Sequence, residues 1–376
     1  MLAIKEAVDA APEDRELRIE SDSKWAIREL TTWQEAHKNE GYAETVNGEL
    51  IAAAVASLRK RKAHTMFKWV KGHNGHAANE KADRIAGEAA RRPTADPVDV
   101  EVDPELRLTG AALASMTQAR AYRMIRRRKS EKVEKRRRTE QNIAQIVEDV
   151  DGAFGWRPTD ENVWMAIRSK ALTLECRYFL WMVAHDAYRL GDKWLYESAP
   201  AEVQERAYCK ICGAVETMHH ILFDCESVER GMIWGEARAM WERTGDEWKD
   251  PNLGTVVGAA CAYFPTEDGS PRPGRQRLWT ILVAEAAHLI WKMRCERVIQ
   301  REGIQFSTQE AIHRWEAVIG ARLDTDRRLT SVERYGRRAM SAQLVESTWR
   351  PVVIERESLP YNWVTDIGVL VGIKGG

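Results

Sequence analysis

Apolar residues follow two different rhythms along this 376-residue chain. In the first 92 residues, short alternating runs are interleaved with amphipathic ones. Residues 1–10 have helical spacing that stops near Pro12, and Glu16–Glu20 (ELRIE) alternates with Leu17 and Ile19 on one face of a short strand. Lys24–Lys38 predicts a helix with Trp25, Ile27, Leu30 and Trp33 in a stripe, and Asn47–Lys60 a second helix with Asn47 at its N-cap. Thr65–Val70 (TMFKWV) predicts another strand and Ala77–Arg91 a last helix, so this stretch reads as a layered α/β arrangement. From about residue 153 the alternation gives way to Trp-rich segments of helical spacing. Leu278–Ile299 predicts a long buried helix, and 308–323 and 329–348 predict two more. The tail YNWVTDIGVLVGI reads as a short strand or a packed end.

Composition divides the chain further. Residues 93–110 hold Pro93, Pro97 and Pro104 among acids, a linker composition, and 111–150 pass from an Ala-rich helical segment into a basic run. The expected organisation is an α/β domain over 1–92, a linker over 93–110 and a basic helical segment over 111–150. A helical zinc-binding domain over 151–250 and a helical C-terminal region over 251–376 follow, the last without a function legible in its residues. Lys+Arg and Asp+Glu both number 57, so net charge excludes no partner. Its distribution says more: Arg120–Arg138 contains eleven Lys or Arg against two acids. The absence of any apolar run of membrane-spanning length predicts no transmembrane helix, and the lack of an apolar signal-peptide core predicts an intracellular protein.

Two acids in the first stretch carry chemistry. Asp22 follows the first strand in SDS, where side chains emerge at a sheet edge. Asp83 lies on the last helix in WVKGHNGHAANEKADRIA, after a loop punctuated by Gly72 and Gly75 that carries His73 and His76. Carboxylates at a strand end and on a helix can converge on a divalent cation. Taken singly, Asp22 could cap the Lys24 helix and Asp83 could sit on a solvated face.

Together, SDSK and W-V-K-G-H-x-G-H-x-x-N-E-x-A-D resemble the second half of a type 1 ribonuclease H domain, over residues 1–92 and including VNGEL at 46–50. The resemblance implies cleavage of the RNA strand of RNA–DNA hybrids by two Mg²⁺ (or Mn²⁺) ions held by four carboxylates. It implies Asp22 and Asp83 as two of those ligands, His73 as the loop histidine that assists proton transfer or product release, and Asn79 as a residue that supports the RNA strand. It also implies an N-terminally truncated domain. LAIKEA aligns with the family's first helix beyond its Glu, and the opening strand with the first Asp has no counterpart. Glu6 would stand about six residues out of place, about 9 Å along the helix and about 240° around it. The strand at 16–20 is then expected to have a bare edge, and two of four carboxylates are not expected to form a working two-metal site.

In the basic run, Arg126, Arg127, Arg128, Lys129, Arg136, Arg137 and Arg138 could track phosphates with a salt-dependent affinity. Equally, RRRK and KRRR suit a nuclear-import signal, or the run could be a solvated helix face. Six cysteines are too few for a disulfide framework, and three of them cluster in YCKICGAVETMHHILFDCE. Cys209-x2-Cys212 followed by His220-x4-Cys225 offers three thiolates and an imidazole, enough for a closed, structural Zn²⁺ site. His219 competes with His220; His220 is preferred because H-I-L-F-D-C resembles the H-x4-C half of retroelement zinc-binding domains. Buried free cysteines are the alternative, and Cys176, Cys261 and Cys295 read as core residues. Arg177–Trp194 resembles the helix ahead of the zinc motif in reverse-transcriptase zinc-binding domains, which makes His185 a packing residue rather than a ligand, and His288, in the middle of the apolar Leu278–Ile299 stretch, reads as a core histidine. Ribonuclease H segment, basic helix and zinc domain, in that order, resemble the C-terminal end of a fungal non-LTR-type retrotransposon polyprotein. The resemblance implies a nucleic-acid partner. A noncatalytic nucleic-acid-binding protein using the zinc domain and basic helix is the alternative.

Overall fold

The computed structural model describes all residues except 73–74, 91–97, 109, 131–132, 135, 356 and 374–376. The chain forms two compact units, Met1–Glu134 and Lys135–Gly376. Among the described residues, no helix is long and apolar enough to cross a membrane.

In the first unit, α1 (Leu2–Ala10) leads into β1 (Leu17–Ser21), followed by α2 (Lys24–Leu30), α3 (Gln34–Asn39), α4 (Gly48–Lys60), β2 (Thr65–Trp69), α5 (Ala77–Ala90) and α6 (Gln118–Ser130). The strands pair in parallel, with Leu17 opposite Thr65 and Ser21 opposite Trp69. A parallel pair needs a crossover, here α2–α4. Ile19 from β1 joins Ile4 and Val8 of α1 with Ile51, Ala54 and Val55 of α4 in a small core. Among the described residues no other strand pairs with β1, so its second edge is bare as expected. The helix expected over 24–38 is broken, because two consecutive threonines close it early. The Thr31 hydroxyl donates back to the Ile27 carbonyl (2.6 Å) and the Trp33 N–H to the Arg28 carbonyl (2.8 Å). Asn47 occupies the cap position of α4 but in a left-handed backbone conformation (φ 57°), without a side-chain capping bond. Ser23, not Asp22, caps α2, its hydroxyl accepting from the Ala26 N–H at 3.2 Å.

The second unit is helical: α7 (Arg137–Phe154), α8 (Asp160–Ile167), α9 (Leu174–Ala184), α10 (Ala201–Gln204), α11 (Val228–Glu242), α12 (Leu253–Val257), α13 (Pro273–Ile299), α14 (Thr308–Leu329), α15 (Val332–Tyr335) and α16 (Ala342–Trp349). Its core runs from Ile143 to Val364 and passes position 250 without a break. Trp241, Trp279, Trp315, Trp349 and Trp363 are fully buried within it. Leu278–Ala287 is buried at every position, so α13 is the central helix and has no polar face in that stretch. The helix expected over 329–348 is instead two short ones, because Gly336 turns left-handed (φ 54°) and Ser341 starts a new helix by accepting from the Leu344 N–H. The tail is a packed end: Arg327 donates to the carbonyls of Trp363 (3.0 Å), Asp366 (2.6 Å) and Val369 (2.9 Å).

Candidate functional sites

Asp22 stands one residue beyond β1, at the carboxyl edge of the parallel pair, where ligands of such sheets collect. Its carbonyl accepts from Trp69 Nε1 at 3.0 Å, which ties it to the end of β2. Lys24 Nζ lies 4.2 Å from the centre of the Trp69 ring on the same edge. From α5, Asn79 Nδ2 donates to Asp22 Oδ2 at 3.1 Å and lies 3.5 Å from Asp83 Oδ2. Asn79 and Asp83 are one helical turn apart and share a face. Two carboxylates are therefore held on one carboxamide, although 61 positions separate them in sequence. Both oxygen donors suit a hard divalent cation. Two carboxylates suffice for one such ion with water completing its shell. His73 lies outside the described residues. His76 contacts Glu20 instead (Nε2–Oε2 3.0 Å), beside Lys68 (3.3 Å) and Arg18 (2.9 Å). The hydrogen bond from Lys68 and the surrounding cations hold the Glu20 carboxyl below its usual range. Glu6 lies on α1, 3.8 Å from Lys5 Nζ.

Gly72 is a site residue that motif reading passes over. A Cβ built on it would come 2.8 Å from Asp22 Oδ2, so the loop needs a bare Cα to pass the carboxylate. The obstructed atom is the far end of a short side chain, so the carboxylate would swing away, at the cost of its bond from Asn79, and the backbone would stay. Gly72→Ala is expected to leave stability within about 1 kcal/mol of wild type and to weaken Mn²⁺ binding several-fold in titration calorimetry. Unchanged Mn²⁺ affinity would remove Asp22 from the ligand set.

The basic run divides between the units. Arg126–Lys129 close α6, whereas Arg136 caps α7 and Arg137 and Arg138 open it. On α6, Arg120 pairs with Glu40 (2.8 Å), Arg123 with Glu44 and Arg127 with Glu49. Arg127 is thus partly neutralised, while Arg126, Arg128 and Lys129 are exposed. Arg138 contacts Asp186 at 2.8 Å, and Arg136 and Arg137 are exposed.

The Cys/His segment is built by two local devices. Gly213, left-handed at φ 69°, closes a turn in which its N–H donates to the Cys209 carbonyl (2.9 Å) and the Cys209 N–H to the Ala214 carbonyl (2.8 Å). His220–Asp224 then forms a wide π-helical turn, with the Cys225 N–H donating to the His220 carbonyl at 2.8 Å. The ligand atoms of Cys209, Cys212, His220 and Cys225 all lie within 4.8 Å of one another. Cys209 and Cys225 Sγ are 3.7 Å apart, and Cys212 Sγ is 3.3 Å from His220 Nε2. A tetrahedron with zinc-length bonds has sulfur–sulfur edges of about 3.8 Å and sulfur–nitrogen edges of about 3.6 Å, so the four donors fit Zn²⁺. His219 points elsewhere, with Nδ1 2.9 Å from Asp224 Oδ2. In the metal-free state burial pushes both thiols up. At Cys209 the backbone N–H groups of Cys212 and Ile211 outweigh it and bring the thiol down to about 7, whereas Cys225 is pushed up to about 12. Four protein donors close the shell, so zinc here would be structural and would supply no open position.

Cys176, Glu285 and His288 form a second grouping within 4.8 Å. Burial pushes the Cys176 thiol well up, with Glu285 adding to it, and Sγ lies 3.5 Å from the Ala284 carbonyl. A protonated, hydrogen-bonded thiol is a packing group here, and His288 stacks on Phe179 at 5.4 Å. His185 is held between Trp164 (5.3 Å) and Trp181 (4.4 Å), with Nδ1 3.0 Å from Thr139 Oγ1.

Comparison with known proteins bears on the first unit. Residues 1–91 match the family described as RNase H. The chain is similar to a ribonuclease H of Anaeromyxobacter dehalogenans (strain 2CP-C), 34% identical over 110 residues, which are 28% of this chain and 58% of that protein. A ribonuclease H of Erythrobacter litoralis (strain HTCC2594) is 36% identical over 90 residues, 23% of this chain and 61% of that protein. One from Psychromonas ingrahamii is 33% identical over 107 residues, 27% and 69% of the two chains. The chain thus spans about three fifths of the length of the first two. No solved structure matches it.

Proposed function

The chain belongs to the ribonuclease H family through its residues 1–91, and from that premise we propose that its first unit engages RNA–DNA hybrids at the edge formed by Asp22, Asn79 and Asp83. The observation that carries this reading is the carboxamide of Asn79 reaching both carboxylates at the carboxyl end of a parallel strand pair. Asp22 and Asp83 would hold one Mg²⁺ or Mn²⁺, which when bound supplies positive charge against phosphodiester oxygens. Asn79 orients the two acids through its amide protons, and Gly72 leaves room for Asp22. Lys24, the first residue of α2, lies over Trp69 at the same edge and adds positive charge toward a phosphate backbone, whereas Lys68 is engaged by Glu20.

Two-metal cleavage of the RNA strand is the activity that the family resemblance implies. Asp22 and Asp83 are two of the four carboxylates that such cleavage needs, so residues 1–376 by themselves are expected to bind hybrid without cutting it. The second unit is read as a helical nucleic-acid-binding module with one structural Zn²⁺ at Cys209, Cys212, His220 and Cys225, and the basic residues of α6 and α7 contribute phosphate contacts. The order of these parts supports descent from a retroelement polyprotein, and the basic clusters also suit import into a nucleus.

The test is an end-labelled RNA–DNA hybrid incubated with the chain in Mg²⁺ and in Mn²⁺, beside Asp22→Asn, with binding read by mobility shift. The expected result is a shifted hybrid in both metals and cutting no faster than the variant's background. Cutting that Asp22→Asn abolishes would replace the binding reading with a catalytic one. Absence of a shift would remove the hybrid as ligand.

A further inference from the structure

The outward face of α9 is apolar where a helix over a core is ordinarily polar. Its inward face carries Cys176, Phe179, Leu180 and Val183, all buried. At the helical spacing i, i+4, i+7, the outward face carries Leu174, Tyr178 and Trp181, exposed by 75%, 61% and 44%. Tyr178 and Trp181 lie nearly parallel, 19° between planes and 6.3 Å between centres. His185 continues the row 4.4 Å from Trp181, and Trp164 flanks it. From Leu174 to His185 the row is about 16 Å long. Contiguous exposed aromatics of this kind mark a binding surface.

Positive charge sits at one end of the row. His185 bonds Thr139 in the first turn of α7 and Asn142 donates to the Ala184 carbonyl (3.0 Å), so Arg136, Arg137 and Arg138 adjoin the aromatic end. The charge on Arg136 helps to push the His185 imidazole below its usual range, after burial. Three arginines at the positive end of an 18-residue helix oppose its dipole, and an anion would relieve both. Along the row, Arg177 flanks Trp181 one turn back, and its buried Nε has no hydrogen-bond partner among the described residues. Of the acids near the row, Glu175 opens α9 at the far end, Glu140 lies in the first turn of α7, and Asp186 is held by Arg138 and by Lys193 (2.7 Å).

We propose that the Tyr178–Trp181–His185 row of α9, with Arg136–Arg138 at its end, is a binding surface for single-stranded DNA. Unpaired bases stack on the rings and phosphates meet the arginines. A duplex keeps its bases inside the stack and gains nothing from the row. Rings and guanidinium groups meet bases and phosphates and need no 2′-hydroxyl, so a DNA strand engages the whole row. The phosphate contacts of Arg136–Arg138 rest on the nucleic-acid reading of the second unit, whereas the aromatic row stands apart from it.

The test uses the full chain and a fluorescein-labelled 15-nucleotide oligothymidylate in polarisation titrations, with a 15-nucleotide oligouridylate and an RNA–DNA hybrid as parallel probes. Trp181→Ala is expected to weaken oligothymidylate binding about ten-fold or more and to leave hybrid binding unchanged, while Trp181→Phe keeps affinity within about three-fold of wild type. Arg137→Glu is expected to flatten the salt dependence of the same binding. Because Trp181 is exposed, its variants should melt with the wild type, which separates lost binding from lost fold. Oligothymidylate binding by Trp181→Ala equal to wild type overturns the proposal, as does tighter binding of the uridylate. A wild-type dimer that Trp181→Ala dissociates in sedimentation overturns it too. Absence of hybrid binding by the wild type, with oligothymidylate bound, tells against the first unit's reading and leaves this surface standing.

Discussion

Cys225→Ser is expected to yield a chain without zinc, open to trypsin at Lys210, where the wild type carries one zinc per chain and resists the protease. The four donors lie within 4.8 Å of one another, two of their separations (3.7 and 3.3 Å) are close to the edges of a zinc tetrahedron, and Cys225 is buried beside Cys209. A site of this composition contributes on the order of 10 kcal/mol of binding free energy at neutral pH, comparable with the whole stability of a domain. Losing it would first open the turn that carries the first ligand pair, where Lys210 is exposed to the protease. The disturbance would then spread along two routes. Ile221 and Leu222, in the π-helical turn, are core residues, and Glu216 is clamped by Arg294 of α13. The expected reading is a lower melting temperature as well as local cleavage. His220→Ala should behave like Cys225→Ser, whereas His219→Ala should keep its zinc, since His219 is exposed and turned toward Asp224. Zinc measured by atomic emission checks all three, and full occupancy in Cys225→Ser would sink the site.

The contrast between the two histidines shows where sequence reasoning stops. Their neighbours in sequence are shared, so spacing allows either; the choice depends on a five-residue turn that is wider than an α-helical one. The places of Asp22 and Asp83 were legible from local pattern, a strand end and a helix face, whereas Asn79 was singled out by the resemblance alone. Gly72 was not, since its reason is a carboxylate 50 positions earlier that the parallel pairing brings beside it. Both strands and most helices of the first unit follow from periodicity, and the break after Leu30 escaped because Trp33 continues the stripe past it. In the second unit the apolar run of α13 announces burial, but the row on α9 is hidden in an evenly apolar sequence. Periodicity cannot say which of two apolar faces meets the core. Buried charges are hidden in the same way, and one of them carries the second large effect.

Asp326→Ala is expected to destabilise the second unit by about 3–5 kcal/mol. Asp326 is fully buried on α14, where it receives Arg277 of α13 through two nitrogens (Nη2–Oδ1 2.8 Å) and Trp349 Nε1 of α16 at 2.7 Å. One carboxylate thus joins the central helix to two others at fixed register. Removing it leaves a guanidinium that is 8% exposed with no counter-charge and a buried indole N–H with no acceptor. The cost comes mostly from these stranded groups, since a well-made buried pair contributes little over an apolar replacement. The double variant Arg277→Met, Asp326→Leu should therefore recover most of the loss, although Trp349 stays unsatisfied at about 1–3 kcal/mol. Urea unfolding followed by circular dichroism measures each step, and the non-additivity of the two changes isolates the pair. A loss below about 1 kcal/mol in Asp326→Ala would mean that water reaches the carboxylate, and the three-helix junction would then owe its register to Trp279, Trp315 and Trp349 alone.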